Sequence, residues 1–247
     1  MILKPSNIIV VLFLICSLVL LVMAKQQSGV YDWPLKPGMI QWKELETHDE
    51  KLKVLQIPAE ILSKMPTKDL ALTCLNYPLF PDIWAFNSLQ DGMERVISGF
   101  NGLQEFLQCK DAGVELFSIY KKMDPHRFEE GWSGLQKGQY TSEFAKIEIL
   151  LAQDAILSAL KQNERFLLLK EAVIKQRAMK QYPMFDKRNQ EPNAYLLAKI
   201  IHKDNLILFN QVSQQKPELQ TFLQRGSMVS TEIVDKIVSL AQHIMDN

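Results

Sequence analysis

Apolar side chains recur at helical spacing along most of this 247-residue chain. Near the end, Ile233, Ile237, Leu240 and Ile244 follow one another at intervals of three or four residues, which places them on one face of a helix. Outside the first 24 residues, no segment combines apolar–polar alternation with β-branched enrichment and hairpin turns. The sequence therefore predicts an all-α fold, either an irregular multi-helix bundle or a short stack of antiparallel helix pairs.

Residues 1–24 have the pattern of an export signal. One lysine, Lys4, precedes an apolar run from Ile8 to Ala24, as in signal peptides. Val22 and Ala24 are small residues at the two positions that a signal peptidase reads, so we predict cleavage after Ala24. The alternative is an uncleaved anchor, because the run approaches the ~17 residues of a short membrane span. We therefore expect an exported chain, periplasmic or secreted, whose only membrane contact is through an uncleaved signal.

The rest of the chain divides into an extended strap, residues 25–46, and a single all-helical domain, residues 47–247. In the strap, Pro34 and Pro37 interrupt any regular period. Its aromatic residues, such as Trp33, suit either a platform for a sugar or peptide or an anchor that fastens the strap to the core. We favour the anchor, since buried aromatic side chains hold a loop in place through their large apolar area.

Charge and motif content exclude several classes of function. Without its leader the chain has 27 basic and 28 acidic residues, a net charge near −1. No basic excess is present to neutralise a phosphate backbone or an anionic membrane, so we predict no nucleic-acid partner. The four histidines do not lie at metal-ligand spacing, and HExxH, paired CxxC and EF-hand patterns are missing from the sequence. We predict no metal site, no cofactor and no catalytic residue.

Two cysteines, Cys74 and Cys109, follow the predicted leader. An oxidising compartment would allow them to pair as a disulfide, which would close a loop of about 35 residues. Cys74, however, lies within a helical apolar pattern, where a cysteine usually behaves as a small buried apolar side chain. We favour two free thiols and keep the disulfide as the alternative.

Two stretches, NYPLFPD at 76–82 and QYPMFDK at 181–187, share a Tyr-Pro-x-Phe sequence followed by an acid. Proline disfavours helical geometry in the residue before it, so each tyrosine must lie outside the preceding helix. We predict that each stretch ends a helix. We also expect Phe80 and Phe185 to turn into the apolar interior.

Residues 76–87 are also the densest candidate for a binding site. The candidate binding residues are Tyr77, Phe80, Asp82, Trp84 and Asn87. Aromatic side chains with a few polar groups line many ligand clefts. The same residues would suit a tight core between two helices, with the polar side chains as caps, and we favour this second interpretation.

Residues 56–113 resemble a helical segment of exported bacterial proteins whose activity is not established. The resemblance is carried by Met65, Thr67, the Leu-x-Tyr-Pro-Leu of residues 75–79, the Ala-Phe-Asn of 85–87 and the Phe-Asn-Gly of 100–102. Pro66 departs from this pattern, which has a serine at the helix start. The resemblance covers about a quarter of the chain and implies export, a bacterial source and a helical fold. It transfers no catalytic residue.

These observations predict an exported, non-enzymatic helical scaffold or binding domain for a protein or peptide partner of the cell envelope. The alternative is an extracytoplasmic hydrolase that acts on glycans or peptides, with a site assembled from residues distant in the sequence. A deep pocket that brings a histidine or cysteine together with a carboxylate would favour the hydrolase. A closed apolar cavity would instead favour a carrier of lipids or small ligands.

Overall fold

A computed structural model describes residues 29–127, 131–226 and 230–246, with the backbone but not the side chains of residues 187 and 188. The predicted signal lies outside the described residues. Within these ranges the chain forms thirteen α-helices, two 3-10 helices and no strand, which confirms the all-α prediction. None of the described helices is long and apolar enough to cross a membrane.

The helices follow one another closely along the chain. The α-helices are α1 (His48–Val54), α2 (Ala59–Leu62), α3 (Thr67–Leu75), α4 (Leu89–Gly99), α5 (Asn101–Phe106), α6 (Ala112–Lys122), α7 (Gly134–Leu151), α8 (Asp154–Ala159), α9 (Gln162–Met179), α10 (Lys187–Asp204), α11 (Leu206–Gln215), α12 (Glu218–Arg225) and α13 (Thr231–Asp246). The 3-10 helices are Gln41–Glu44, within the strap, and Phe80–Ala85.

Side-chain caps determine where several helices begin. At α1 the Thr47 hydroxyl accepts from the Glu50 amide at 3.2 Å, and the Glu50 carboxylate accepts from the Thr47 amide at 2.9 Å, a complete capping box. Asp186 caps α10 in a similar way by accepting from the amide of its third residue. Thr67, which the sequence suggests as the cap of α3, is instead the first helical residue, and its hydroxyl donates to Asp111 at 2.8 Å.

Both Tyr-Pro stretches follow the end of a helix, as predicted. Helix α3 ends one residue before the first stretch, and α9 ends two residues before the second. Phe80 and Phe185 are buried in the core. Tyr77 is buried as well, and its ring stacks on that of Phe100 with centroids 4.0 Å apart. The prolines thus end the helices, and the aromatic residues beside them fill the interior.

The region between residues 125 and 162 differs from the helical pattern of the sequence. The sequence predicts a loop over residues 125–139. The spacing of apolar residues after it predicts one long helix over 142–162. Instead, α7 begins at Gly134, because Ser133 and Gln136 form a capping box. It ends at Leu151, and the extended backbone of Gln153 separates it from α8. The Gln153 side chain donates to the Ile149 carbonyl at 2.9 Å, which supports the break.

Helix α10 lies at the centre of the fold. It packs against α7, α9, α11, α12 and α13, and α7 in turn contacts α3, α4, α6 and α8. The N-terminal strap is fastened to this assembly by Trp33, whose ring is buried and whose indole N–H donates to the Leu55 carbonyl at 2.8 Å. A buried aromatic ring with a satisfied polar group is an effective anchor for an extended segment.

A buried polar network joins α6, α7, α9 and α10. The Tyr120 hydroxyl donates to Glu148 Oε1 at 2.6 Å, and Asn193 Nδ2 donates to the same oxygen at 2.9 Å. Asn193 Nδ2 also lies 3.1 Å from the carbonyl oxygen of Ala172 in α9. Tyr120, Glu148 and Asn193 are all fully buried. Groups of this kind stabilise a core only when they are hydrogen-bonded, so the network fixes how these four helices meet.

The Glu148 carboxyl group is the chemically unusual member of the network. Burial raises its pKa to about 7, although the hydrogen bonds from Tyr120 and Asn193 and the positive charge of Lys175 act in the opposite direction. The Lys175 ammonium is itself engaged by Glu171 at 2.9 Å and by the Met123 carbonyl. Glu148 Oε2 is buried and has no hydrogen-bond partner among the described residues. A proton on the carboxyl group therefore avoids burying an unpaired charge.

We expect stability to depend on pH through this group. Its pKa in the folded chain exceeds the ordinary value of 4.5, so the folded chain binds the proton more tightly than the unfolded chain does. The protonated carboxyl group therefore makes its full contribution to the free energy of unfolding below pH 4.5. As the pH rises toward 7, this contribution, on the order of 3 kcal/mol, is lost. In urea unfolding, Glu148→Gln should be more stable than the natural chain at pH 8 and similar at pH 4.5.

The matched control is Glu105→Gln, which removes an exposed carboxylate of α5. It should follow the natural chain at both pH values. A Glu148→Gln variant that is less stable than the natural chain at pH 8 would show that the carboxyl group is ionised in the folded state and stabilising.

Candidate functional site

The residues predicted from the sequence as a binding site do not share one environment. Tyr77 and Phe80 belong to the core, whereas Asn87 is exposed and Trp84 exposes 46% of its surface. Asp82 is partly exposed, and its Oδ2 lies 3.7 Å from Nε2 of His48. The structure thus separates two core aromatic residues from an exposed tryptophan. Binding by this segment stays a prediction.

Tyr77 and Asp82 do line one small cavity together with His48 and Arg95. The Tyr77 hydroxyl is buried without a hydrogen-bond partner among the described residues. Burial raises the pKa of that hydroxyl, and the negative charge of Asp82 adds to the effect. The cavity has a volume of about 10 Å³, which is room for one water molecule and not for a larger ligand.

Both cysteines are free thiols in this structure. Burial raises the pKa of Cys74 well above its ordinary value and also raises the pKa of the half-buried Cys109. A thiol with a raised pKa is a poor nucleophile at neutral pH. The described residues also contain no group of three or more His, Cys, Asp or Glu side chains able to hold a metal ion.

The most prominent surface features meet where α10 passes into α11. Asn205 is both the last cap of α10 and the first cap of α11. Next to it, Arg165 of α9 binds both carboxylate oxygens of Asp204, at 2.7 and 2.5 Å, and also donates to the Leu160 carbonyl. Bidentate pairs of arginine and carboxylate are among the stronger polar contacts in proteins. They hold this junction in place.

A large polar cleft, lined in part by Lys203 and Leu206, adjoins the junction. It has a volume of about 760 Å³ and is lined by residues of α4, α8, α10, α11 and α12. This volume lies within the usual range of small-ligand sites, about 300–1,000 Å³. The charged side chains in its lining are Glu94, Asp154, Lys199 and Lys203, with His202 beside them. Acidic and basic groups are therefore balanced within the cleft.

The floor of the polar cleft is tied together by hydrogen bonds. The Tyr195 hydroxyl donates to Gln90 Oε1 at 2.9 Å, and Gln90 Nε2 donates to Glu94 Oε1 at 2.9 Å. The Lys199 ammonium lies 2.8 Å from Asp154 Oδ1. Burial raises the pKa of the Tyr195 hydroxyl, with added effects from the charges of Asp154 and Glu94. At neutral pH the floor therefore carries a neutral phenol flanked by carboxylates.

His202 is the only histidine in the lining of this cleft. Its ring packs edge-on against Phe209, with centroids 5.3 Å apart. Burial lowers the pKa of His202, and the positive charge of Lys199 lowers it further, whereas Asp154 acts in the opposite direction. The ring is therefore neutral at pH 7, and a neutral imidazole can accept a proton.

An apolar groove, lined in part by Asp204 and Asn205, adjoins the same junction. It has a volume of about 370 Å³, and its apolar lining consists of Phe166, Leu169, Ile200 and Ile244. Its polar lining consists mainly of amide side chains, from Gln162, Asn163 and Asn205. The groove thus combines an apolar surface with groups that both donate and accept hydrogen bonds.

Two exposed apolar residues lie at the start of α11. We call Leu206 and Ile207, the first two residues of α11, the crest. Leu206 lines the polar cleft and is 49% exposed, while Ile207 is 77% exposed. Phe166 and Leu167 on α9 are exposed as well. Single exposed apolar residues are common, whereas contiguous exposed apolar residues mark candidate binding surfaces.

Comparison with protein-family models, curated proteins and solved structures gives no match. The resemblance of residues 56–113 to exported bacterial proteins accordingly stays a prediction. The polar cleft, the groove and the crest lie outside that segment except for Gln90 and Glu94.

Sequence reasoning missed this surface for two reasons. The sequence marks His202 only as one of four histidines without metal-ligand spacing, and the sequence analysis predicts no helix at α11, whose first residues form the crest. The apolar run Leu206–Phe209 was the available signal. No local pattern could show that Gln90 and Tyr195, 105 residues apart, share a hydrogen bond.

The electrostatics of the polar cleft can be tested by titrating His202 with NMR. We expect its pKa to lie below the ordinary value of 6.5. Lys199→Met should raise this pKa, because it removes a nearby positive charge, and Asp154→Asn should lower it further. Shifts in the same direction for both variants would contradict the arrangement described above.

Proposed function

We propose that this chain is an exported, non-enzymatic binding domain that docks a protein or peptide partner of the cell envelope. The crest carries this proposal. Ile207 has most of its surface exposed, although burying an isoleucine side chain contributes about 1.5–3 kcal/mol. A partner that covers the crest gains this free energy.

The apolar groove beside the crest supports a peptide segment as the docked element. Phe166, Leu169 and Ile244 offer apolar surface to a side chain of the partner. The amides of Gln162 and Asn163 at the same groove can donate to and accept from a peptide backbone. A lipid chain would leave these amides without hydrogen-bond partners, at a cost in free energy.

The proposal can be tested by cross-linking the tagged chain in envelope extracts and isolating what it holds. We expect Ile207→Asp to lose the partner that the natural chain retains, because a buried carboxylate on the crest disfavours the complex. Ile40→Asp is the matched control, since Ile40 has the same residue type and the same 77% exposure at the opposite end of the sequence. Both variants should fold normally.

Retention of the same partners by the natural chain and Ile207→Asp would contradict docking at the crest. If Ile207→Asp and Ile40→Asp lose the partner to the same extent, the loss is a general effect of the added charge. This result would also contradict docking at the crest.

A second candidate function is supported by the polar cleft, in which a histidine and carboxylates come together. Glu94, Asp154 and His202 come from α4, α8 and α10 and line the same depression. A neutral histidine can act as a general base toward a water molecule, and carboxylates are the usual acid–base groups of glycan hydrolysis. This arrangement suits an extracytoplasmic hydrolase of glycans or peptides.

This candidate is tested by incubating the chain with envelope glycan fragments and with peptides. If it is a hydrolase, products should form, and His202→Gln should reduce their rate of formation by about 100-fold or more. His48→Gln, which alters a histidine outside the cleft, should leave the rate unchanged. The lack of turnover by the natural chain would exclude this function for the substrates tried.

A further inference from the structure

The Tyr77 hydroxyl is a buried polar group whose position is fixed by the packing of its ring. That ring stacks on Phe100, with centroids 4.0 Å and planes 5° apart, and the centroid of the Trp33 ring lies 6.1 Å away. These packed neighbours keep the hydroxyl inside the protein, where it has no hydrogen-bond partner among the residues that the structure describes. A hydroxyl buried without a partner destabilises a fold, so this group requires one.

The small cavity that Tyr77 lines has the size and the polarity that a water molecule needs. Its volume of about 10 Å³ holds a single water. His48 of α1, Asp82 of the 3-10 helix Phe80–Ala85 and Arg95 of α4 supply the rest of its polar lining. A bound water usually makes two to four hydrogen bonds, and the polar groups of these residues are available to it.

Asp82 lies close enough to act on the Tyr77 hydroxyl, although the two groups form no direct hydrogen bond. Burial raises the pKa of that hydroxyl, and the negative charge of Asp82 raises it further. Asp82 Oδ2 also lies 3.7 Å from Nε2 of His48, which is longer than a direct hydrogen bond. Polar groups separated in this way are commonly bridged by a water molecule.

Backbone contacts keep the walls of the cavity from closing. A Cβ atom at Gly92 of α4 would lie 2.3 Å from the Ile83 carbonyl oxygen, so the 3-10 helix already touches the backbone of α4 there. Buried Phe80 and Ile83 fix the same 3-10 helix to the core. The elements that carry Asp82 and Arg95 cannot approach each other more closely at this contact, and the cavity that they line together therefore persists.

We infer that this cavity is a binding site for one ordered water molecule. The water accepts a hydrogen bond from the Tyr77 hydroxyl and donates one to the Asp82 carboxylate. It thereby joins a core aromatic residue to the 3-10 helix that carries the exposed Trp84. The site is independent of docking at the crest, because neither crest residue lines it.

The proposal is tested first by a crystal structure of the full chain, prepared in a mild detergent, at a resolution that shows ordered water. We expect one water within about 2.5–3.0 Å of both Tyr77 Oη and a carboxylate oxygen of Asp82. A cavity without water, or a water in contact with only one of these two residues, would overturn the proposal.

A second test measures the urea midpoint of unfolding for the natural chain and for Tyr77→Phe. With the water bound, Tyr77→Phe should lower the midpoint, because it removes a hydrogen bond. With the hydroxyl unpaired, the same change should raise the midpoint, because it removes a buried polar group that has no partner. A raised midpoint is therefore the result that rules out the bound water.

A double-mutant cycle shows whether the water links the two residues. Tyr77→Phe should lower the midpoint less in an Asp82→Ala background than in the natural chain, since the bridge is already broken there. The matched control is a Glu105→Ala background, which lacks an exposed carboxylate outside the cavity and should leave the effect of Tyr77→Phe unchanged. Equal effects of Tyr77→Phe in the Asp82→Ala and Glu105→Ala backgrounds would contradict the bridge.

Discussion

The buried hydrogen bonds around Glu148 are the constraint on which the rest of the structure depends. A carboxyl group away from water requires partners, and here Tyr120 and Asn193 supply them from two other helices. This requirement allows few relative positions of α6, α7 and α10, since a shift of one turn would leave several buried polar atoms unpaired. Apolar packing alone tolerates sliding more readily, because it has little directional preference.

Helix α10 connects the buried network to the surface that holds the polar cleft. Asn193 holds the helix within the network, and eleven residues later Asp204 is held by Arg165 of α9. Between these two attachments, Tyr195 and His202 line the polar cleft. The surface is therefore built on a helix fixed at two points, and such rigid support keeps binding groups in place without an additional entropic cost on binding.

Local sequence signals predicted the parts of the fold that depend on neighbouring residues. The prolines of both Tyr-Pro stretches act in this way, and the helix ends that they imply are observed. The Thr47–Glu50 pair and Gly226 are also local signals in the sequence, and a helix begins at the first and ends at the second. Thr67 shows the limit, because its hydroxyl binds Asp111, a residue distant in the sequence. The break after α7 shows a second limit, because no proline or glycine lies beside the extended Gln153 to signal it in the sequence.

The candidate site could not be predicted in the same way, because it arises where distant elements converge. The polar cleft brings together Glu94, Asp154 and Lys203 from three helices. Helical periodicity shows only that each of them lies on the surface of its own helix. The strongest local signal in the sequence is instead the aromatic stretch of residues 76–87, which includes Trp84. Two of its four aromatic side chains, Tyr77 and Phe80, are buried in the core, and Trp84 and Phe86 are exposed.

The central functional claim is that a partner contacts the crest directly. The most direct measurement places a photo-crosslinking amino acid at position 207 and, in a second sample, at position 40, followed by irradiation of intact cells. The account predicts a specific cross-linked partner from position 207 and none from position 40. Cross-links of equal pattern from both positions, or none from position 207, would contradict it.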